Sequence, residues 1–270
     1  MKWRNSYAVV AGCAVAGLTA FNAQAQSAFA GFYGQISTGY ESNQLGSQAD
    51  TATVSPYAGL DTNNSGPSQT FGGAPLVLGI GYYWQATDKW LIGLGADYSA
   101  LTQTSSEIPK TVNNAPGSTS VAPGSSVTFN GSSMQLSNRF NLFITPGYAI
   151  DKDKLVYIKA GYSQVTAQYN PSTTLTRTTN GVSTKFAAGA LSGNQSSNQG
   201  GYLLGIGYKQ IFTGGLYGFV EGNYMGYNAP SYTFTGYETS RGGIATTRTV
   251  TASFASLNTY QALIGLGYAF

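Results

Sequence analysis

The sequence predicts an all-β fold: an eight-stranded antiparallel up-and-down transmembrane β-barrel behind an N-terminal signal peptide. Three observations predict it. Eight segments alternate between an apolar face and a small or polar one. The connections between them alternate strictly between short and long. Charge is sparse, with Asp, Glu, Lys and Arg making 9% of the 270 residues, against the ~25% usual in a soluble domain. So few charges call for an apolar solvent, and short alternating segments reach one only as a closed barrel.

The N-terminus sets the compartment. Lys2 and Arg4 form a short basic region, residues 7–20 carry no charge, and Ala23-Gln24-Ala25 places small residues around one position. This is the pattern of a secretory signal peptide cut after Ala25, giving a signal at 1–25 and a barrel at 26–270. The apolar run is about 14 residues, short of the ~20 that a membrane-spanning helix needs. The single cysteine, Cys13, closes Val10-Ala11-Gly12-Cys13, which resembles a lipoprotein processing site, but the apolar stretch before it is too short. The mature chain therefore holds no cysteine and needs no disulfide in an oxidising compartment.

The strands are justified in chain order. Segment 31–41 turns Phe32, Ile36 and Tyr40 to one face. Segment 76–85 does so with Leu78, Ile80, Tyr82 and Trp84, and segment 90–101 with Trp90, Ile92, Leu94 and Tyr98. Leu142, Ile144 and Tyr148 mark 136–150, and Ile158 and Tyr162 mark 155–168. Tyr202, Leu204, Ile206 and Tyr208 mark 202–212, and Val220 and Tyr224 mark 216–227. In this last segment Tyr217 and Phe219 offer the opposite register. The chain closes on 258–270 with Tyr260, Ile264, Leu266, Tyr268 and Phe270 on one face. Each segment has roughly the 9–11 residues of a tilted membrane strand, or slightly more.

Three connections are tight: Ala86-Thr87-Asp88-Lys89, Asp151-Lys152-Asp153-Lys154 and Thr213-Gly214-Gly215. Four are long and polar, at 42–75, 102–135, 169–201 and 228–257. Short periplasmic turns and long extracellular loops are the habit of outer-membrane barrels. The outward positions agree. Aromatic residues cluster near the tight turns and again near the long loops, with Ile, Leu and Val between, as two bilayer interfaces require.

The opposite face carries Gly79, Gly81, Gly93, Gly95, Gly147, Gly161, Gly205, Gly207, Gly265 and Gly267. Such glycines leave room in a narrow lumen for Tyr83, Phe143, Tyr157, Leu203 and Leu263. The GxG pairs lie in strands with no helix behind them, so they are not dinucleotide sites. Five charges also point inward: Asp97, Arg139, Lys159, Lys209 and Glu221. Buried charges must pair, so these five are expected to form a lumenal ion-pair network. It serves as a structural plug or, alternatively, as a gate.

The chain resembles the small outer-membrane β-barrel family of Gram-negative bacteria, the OmpA/OmpX/opacity-like proteins. The resemblance rests on the eight alternating segments, on Phe219-Val220-Glu221-Gly222-Asn223-Tyr224, and on the ending Gly265-Leu266-Gly267-Tyr268-Ala269-Phe270. It implies that Ile264, Leu266, Tyr268 and Phe270 form a C-terminal signal read by the barrel-assembly machinery. It also implies outer-membrane lipid and lipopolysaccharide as surroundings. Unlike OmpA itself, the sequence shows no peptidoglycan-binding domain after the barrel, so no anchoring role is expected.

Three classes of function compete. An enzyme is disfavoured: the chain has no histidine, the usual general base, and no catalytic residue, metal ligand set or cofactor motif is identified. A passive porin-like channel is the alternative, opposed by the narrow lumen and favoured if loop segments 173–185 or 231–254 add strands to the barrel. A structural or surface-interaction protein is preferred, because long loops on a rigid scaffold are where binding resides. The loops lack a basic cluster, which argues against nucleic acid. A monomer with an unidentified surface ligand is expected.

Overall fold

A computed structural model describes residues 27–55, 62–108, 110–113, 125–171, 174–187, 195–239 and 245–270. The signal peptide, its cleavage site and Cys13 lie outside the described residues. Eight long strands form a closed antiparallel ring. In order they are Gly31–Leu45, Leu76–Gln85, Trp90–Ser99, Ser133–Asp151, Lys154–Asn170, Gln195–Thr213, Leu216–Tyr227 and Leu257–Ala269. We call them the first to eighth strands. Each pairs with its sequence neighbours, and the eighth pairs back with the first, Ile36 opposite Leu266 and Thr38 opposite Ile264. Closure leaves the ring without an unpaired edge.

The outward face is the predicted one. Ile80, Ile158, Ile206, Ile264 and Leu266 are exposed in mid-wall. Phe32, Trp84, Trp90, Tyr268 and Phe270 ring the end with the tight turns, while Tyr40, Tyr98, Tyr162, Tyr202 and Tyr260 ring the other. A wall that exposes a continuous aliphatic belt between two aromatic girdles is stable only in a bilayer, so the protein is an integral barrel of the outer-membrane type. Among the described residues no helix is long and apolar enough to cross a membrane. The Thr213–Leu216 turn needs two consecutive left-handed residues, and Gly214 and Gly215 supply them at φ of 50° and 87°.

The disputed register of the seventh strand is resolved. Tyr217, Phe219 and Glu221 point inward and Val220 points to lipid. The fourth strand departs from simple alternation. A bulge lies between Ser137 and Phe140, with Asn138 at φ 51°. Below it the odd residues face in; above it the even ones do, so Leu136 and Met134 are buried rather than outward. One extra residue in a strand reverses the phase of all that follow.

The long connections are not structureless. Residues of the first and fourth pair as one four-stranded sheet, Ser231–Thr239, Ala245–Phe254, Gln48–Ser55 and Thr62–Gly66. Those of the second and third form another, Val182–Ala187, Thr174–Thr179, Ser125–Asn130 and Lys110–Asn113. Neither adds a strand to the ring. The short strands Gln69–Gly73 and Gln103–Thr104 extend it locally beside the first and fourth strands. Together these sheets make a folded extracellular head.

Candidate functional site

The lumen is filled at three levels, each built from inward positions of the strands. At the periplasmic level glycine makes the space. A Cβ on Gly81 would lie 2.5 Å from the Tyr33 ring, one on Gly93 2.6 Å from Tyr83, one on Gly207 2.3 Å from Tyr157 and one on Gly267 2.3 Å from Tyr217. Each ring occupies the space that a side chain at the glycine would fill. These four rings and Phe219 surround the Lys209 ammonium at 4.1 to 5.9 Å from their centroids. Lys209 donates to Gln35 Oε1 at 3.1 Å, which also accepts from the Tyr217 hydroxyl at 3.0 Å. Phe29 packs beneath this cluster and closes its end.

At mid-height Lys159 Nζ bridges two carboxylates, Asp97 at 2.7 Å and Glu221 at 2.9 Å. Glu221 also accepts from the Tyr157 hydroxyl at 2.6 Å and from Asn223 at 2.8 Å. Asp97 accepts from Asn141. Lys159 is 2% exposed, and its ammonium sits 3.9 Å from the Phe143 ring centroid. So complete a set of partners is what permits two carboxylates and an ammonium to be buried together.

Above this, Arg139 pairs with Glu41. Its remaining donors reach the Tyr227 hydroxyl at 2.9 Å, Asn43 at 3.2 Å and Thr259 at 3.3 Å. Glu41 also accepts from Gln261 at 2.8 Å and from the Asn43 amide at 3.0 Å.

The five predicted lumenal charges are thus all inside, but they do not form one network. Asp97, Lys159 and Glu221 meet. Arg139 takes Glu41, which the odd parity of the first strand already placed inward and which the sequence analysis did not count. Lys209 forms no ion pair among the described residues; aromatic faces solvate it instead, because an ammonium is attracted to a ring's negative face. With Glu41 the inward charges are three and three.

The head shares its core with the lumen. Leu45, Leu136, Val165, Leu203, Met225 and Leu257 of the ring belong to one cluster with Phe71, Ile108, Tyr232, Phe234 and Phe254 of the head. The buried Tyr232 hydroxyl donates to Ala167 O at 2.9 Å, and burial pushes this phenol above its ordinary value. Lys110 and Asp50, from different sheets, form a buried ion pair, and Gln48 donates to Asp50 at 2.8 Å.

The C-terminal residues Ile264, Leu266, Tyr268 and Phe270 all face outward, and Phe270 is 79% exposed. Tyr268 and Phe270 touch edge to face at 5.1 Å.

No family model matches the chain, and no curated protein matches it. Among solved structures, the chain is similar to the outer membrane protein OprG of Pseudomonas aeruginosa, at 15% identity and TM-score 0.47, covering 89% of this chain and 96% of that one. The outer membrane protease OmpT of Escherichia coli follows at 12% and 0.43, covering 89% and 97%. The attachment invasion locus protein Ail of Yersinia pestis matches at 10% and 0.30, covering 86% and 99%. All lie below a TM-score of 0.5 and none bears on activity. The barrel and its lipid belt stand on this chain's own geometry.

Proposed function

We propose that this integral outer-membrane β-barrel is a surface-contact protein, with a closed barrel as anchor and the folded head as the part that meets its surroundings. The observation that carries this reading is the continuity of core between head and lumen. A channel needs a water-filled path; here tyrosines, ion pairs and then apolar side chains occupy successive levels of an eight-stranded interior, which is only wide enough to be filled. The head, in contrast, holds its loops in two sheets, which lowers the entropy lost when a surface binds something.

A non-enzymatic role fits the absence of histidine from the sequence and the engagement of Asp97, Glu221 and Glu41 in ion pairs. The exposed, alternating Ile264, Leu266, Tyr268 and Phe270 fit a signal for the barrel-assembly machinery. Outer-membrane lipid and lipopolysaccharide surround the wall, a closed ring suits a monomer, and the distal ligand is unidentified.

Conductance tests the closed lumen. The full protein in a planar bilayer is expected to show no steady current; reproducible ion-selective openings would contradict the reading.

A further inference from the structure

The outer faces of the two head sheets are rich in hydroxyls. In the sheet of Ser231–Thr239, Ala245–Phe254 and Gln48–Ser55, inward positions are Tyr232, Phe234, Ala252, Phe254 and Ala52, all buried. Among the described residues, the outward positions are hydroxyls in register except Ala49, which stands opposite Ser253. Thr233, Thr251 and Thr51 form one row across three strands, and Thr235, Thr249 and Thr53 form the next. Ser231 and Ser253 begin a third. Neighbouring hydroxyls in a row stand about 4.8 Å apart and successive rows about 6.7 Å apart, as the spacing of a sheet dictates. Thr233 and Thr251 share a hydrogen bond at 3.1 Å, and Ser231 and Ser253 one at 2.9 Å. The second sheet repeats the pattern, with Thr176 opposite Thr128 and Thr178 opposite Ser126. Lys185 is the one charged side chain among those described on these outward faces.

Two facts about placement give the rows a meaning. The inward faces of the sheet share their core with the lumen, so the outward faces continue the barrel's lateral wall above the girdle of Tyr40, Tyr162, Tyr202 and Tyr260. That wall looks sideways, at the height of the saccharides that the outer leaflet carries, rather than up toward a distant partner. Strands exposed to water alone usually carry Lys and Glu, which keep sheets apart. Here they are replaced by groups that donate and accept hydrogen bonds without charge, each threonine adding a methyl group.

We propose that these hydroxyl rows are a lateral docking surface for the uncharged saccharide chains of the surrounding lipopolysaccharide. A sugar chain presents alternating hydroxyl and C–H surface in a repeating unit, which suits a repeating face of hydroxyl and methyl groups. With Lys185 the single cation among the described side chains of these faces, the contact is directed to neutral sugars rather than to phosphates or sulfated chains. This inference rests on the surface-contact reading and specifies one partner of the head.

The test uses the full protein in vesicles carrying lipopolysaccharide with complete saccharide chains, and in vesicles whose lipopolysaccharide lacks them. Amide hydrogen exchange is followed in Ser231–Thr239, Ala245–Phe254 and Gln48–Ser55. Docked chains hold these strands closed, so exchange is expected to be roughly tenfold slower in the complete vesicles. A variant with Thr51→Val, Thr53→Val, Thr233→Val, Thr235→Val, Thr249→Val and Thr251→Val keeps strand-forming shape and loses the hydroxyls of both complete rows; it is expected to exchange alike in both vesicles. Equal exchange of the native protein in the two vesicles overturns the proposal, whether or not the variant inserts. So does a difference that the variant retains. Slowing by dissolved neutral polysaccharide, with no difference between vesicles, overturns the leaflet as the source. Conductance in the same vesicles separates these failures from failure of the closed-barrel reading, which alone produces a current.

Discussion

Lys159 and Lys209 stand one level apart in the same lumen, yet their environments call for different responses to the same substitution. Lys159 holds two carboxylates. Removing it strands both, and breaking a buried pair from one side costs about 3–5 kcal/mol. Lys159→Met is therefore expected to lower the urea midpoint of the micelle-embedded barrel sharply. Lys209 has rings and one amide oxygen instead, and Lys209→Met leaves no carboxylate without its hydrogen-bonded partner. The loss is expected to be about 0.5–2 kcal/mol, the range of a cation–π contact. Equal losses in the two variants would mean that the cage and the ion pair are not distinct. The inward position of both lysines was legible from alternation. Their partners were not, because parity gives the face of a residue but not its depth relative to a neighbour on another strand. Glu41 was legible by the same parity as Gln35 and Ser37.

Glycine carries the element scale. A ring lies within 3 Å of a Cβ built on Gly95 or Gly207, whereas nothing lies within 4 Å of one built on Gly222. Gly207→Val forces the Tyr157 ring away from Lys209 and Glu221 and is expected to cost about 1–3 kcal/mol or more, as overpacking does. Gly222→Ala is expected to be close to neutral. Heat-modifiable electrophoretic mobility measures both. The barrel strands were legible because lipid on one side and a narrow lumen on the other enforce period two. The head strands were not, because their pairing joins distant connections: Gln48–Ser55 lies against Ala245–Phe254, and no local signal announces a partner about two hundred residues away. Tyr232-Thr233-Phe234-Thr235 does alternate, and its apolar side now proves to be core. The Asn138 bulge escaped for another reason. A bulge inserts one residue without a turn signal, so alternation carried back from Leu142 and Ile144 does not place Leu136 inward.

At the scale of the whole molecule, two buried clusters lie on either side of the ion pairs: one around Phe29 at the periplasmic mouth, and one that joins the upper lumen to the head. The head is therefore expected to be coupled to the barrel. Phe254→Ala, a truncation in the head, is expected to cost about 3–5 kcal/mol and to lower the midpoint of the barrel itself while leaving insertion intact. Two separate transitions, with the barrel's unchanged, would show that head and barrel are independent. The central claim is that the barrel stands with its tight turns in the periplasm and its folded head outside the cell. Single cysteines test it most directly, since Cys13 is the one native cysteine and precedes the barrel. Intact cells carrying Thr51→Cys or Thr233→Cys are expected to react with a membrane-impermeant maleimide, and cells carrying Lys152→Cys to react only after lysis. Labelling of Lys152→Cys on intact cells, with Thr51→Cys and Thr233→Cys protected, would contradict the account.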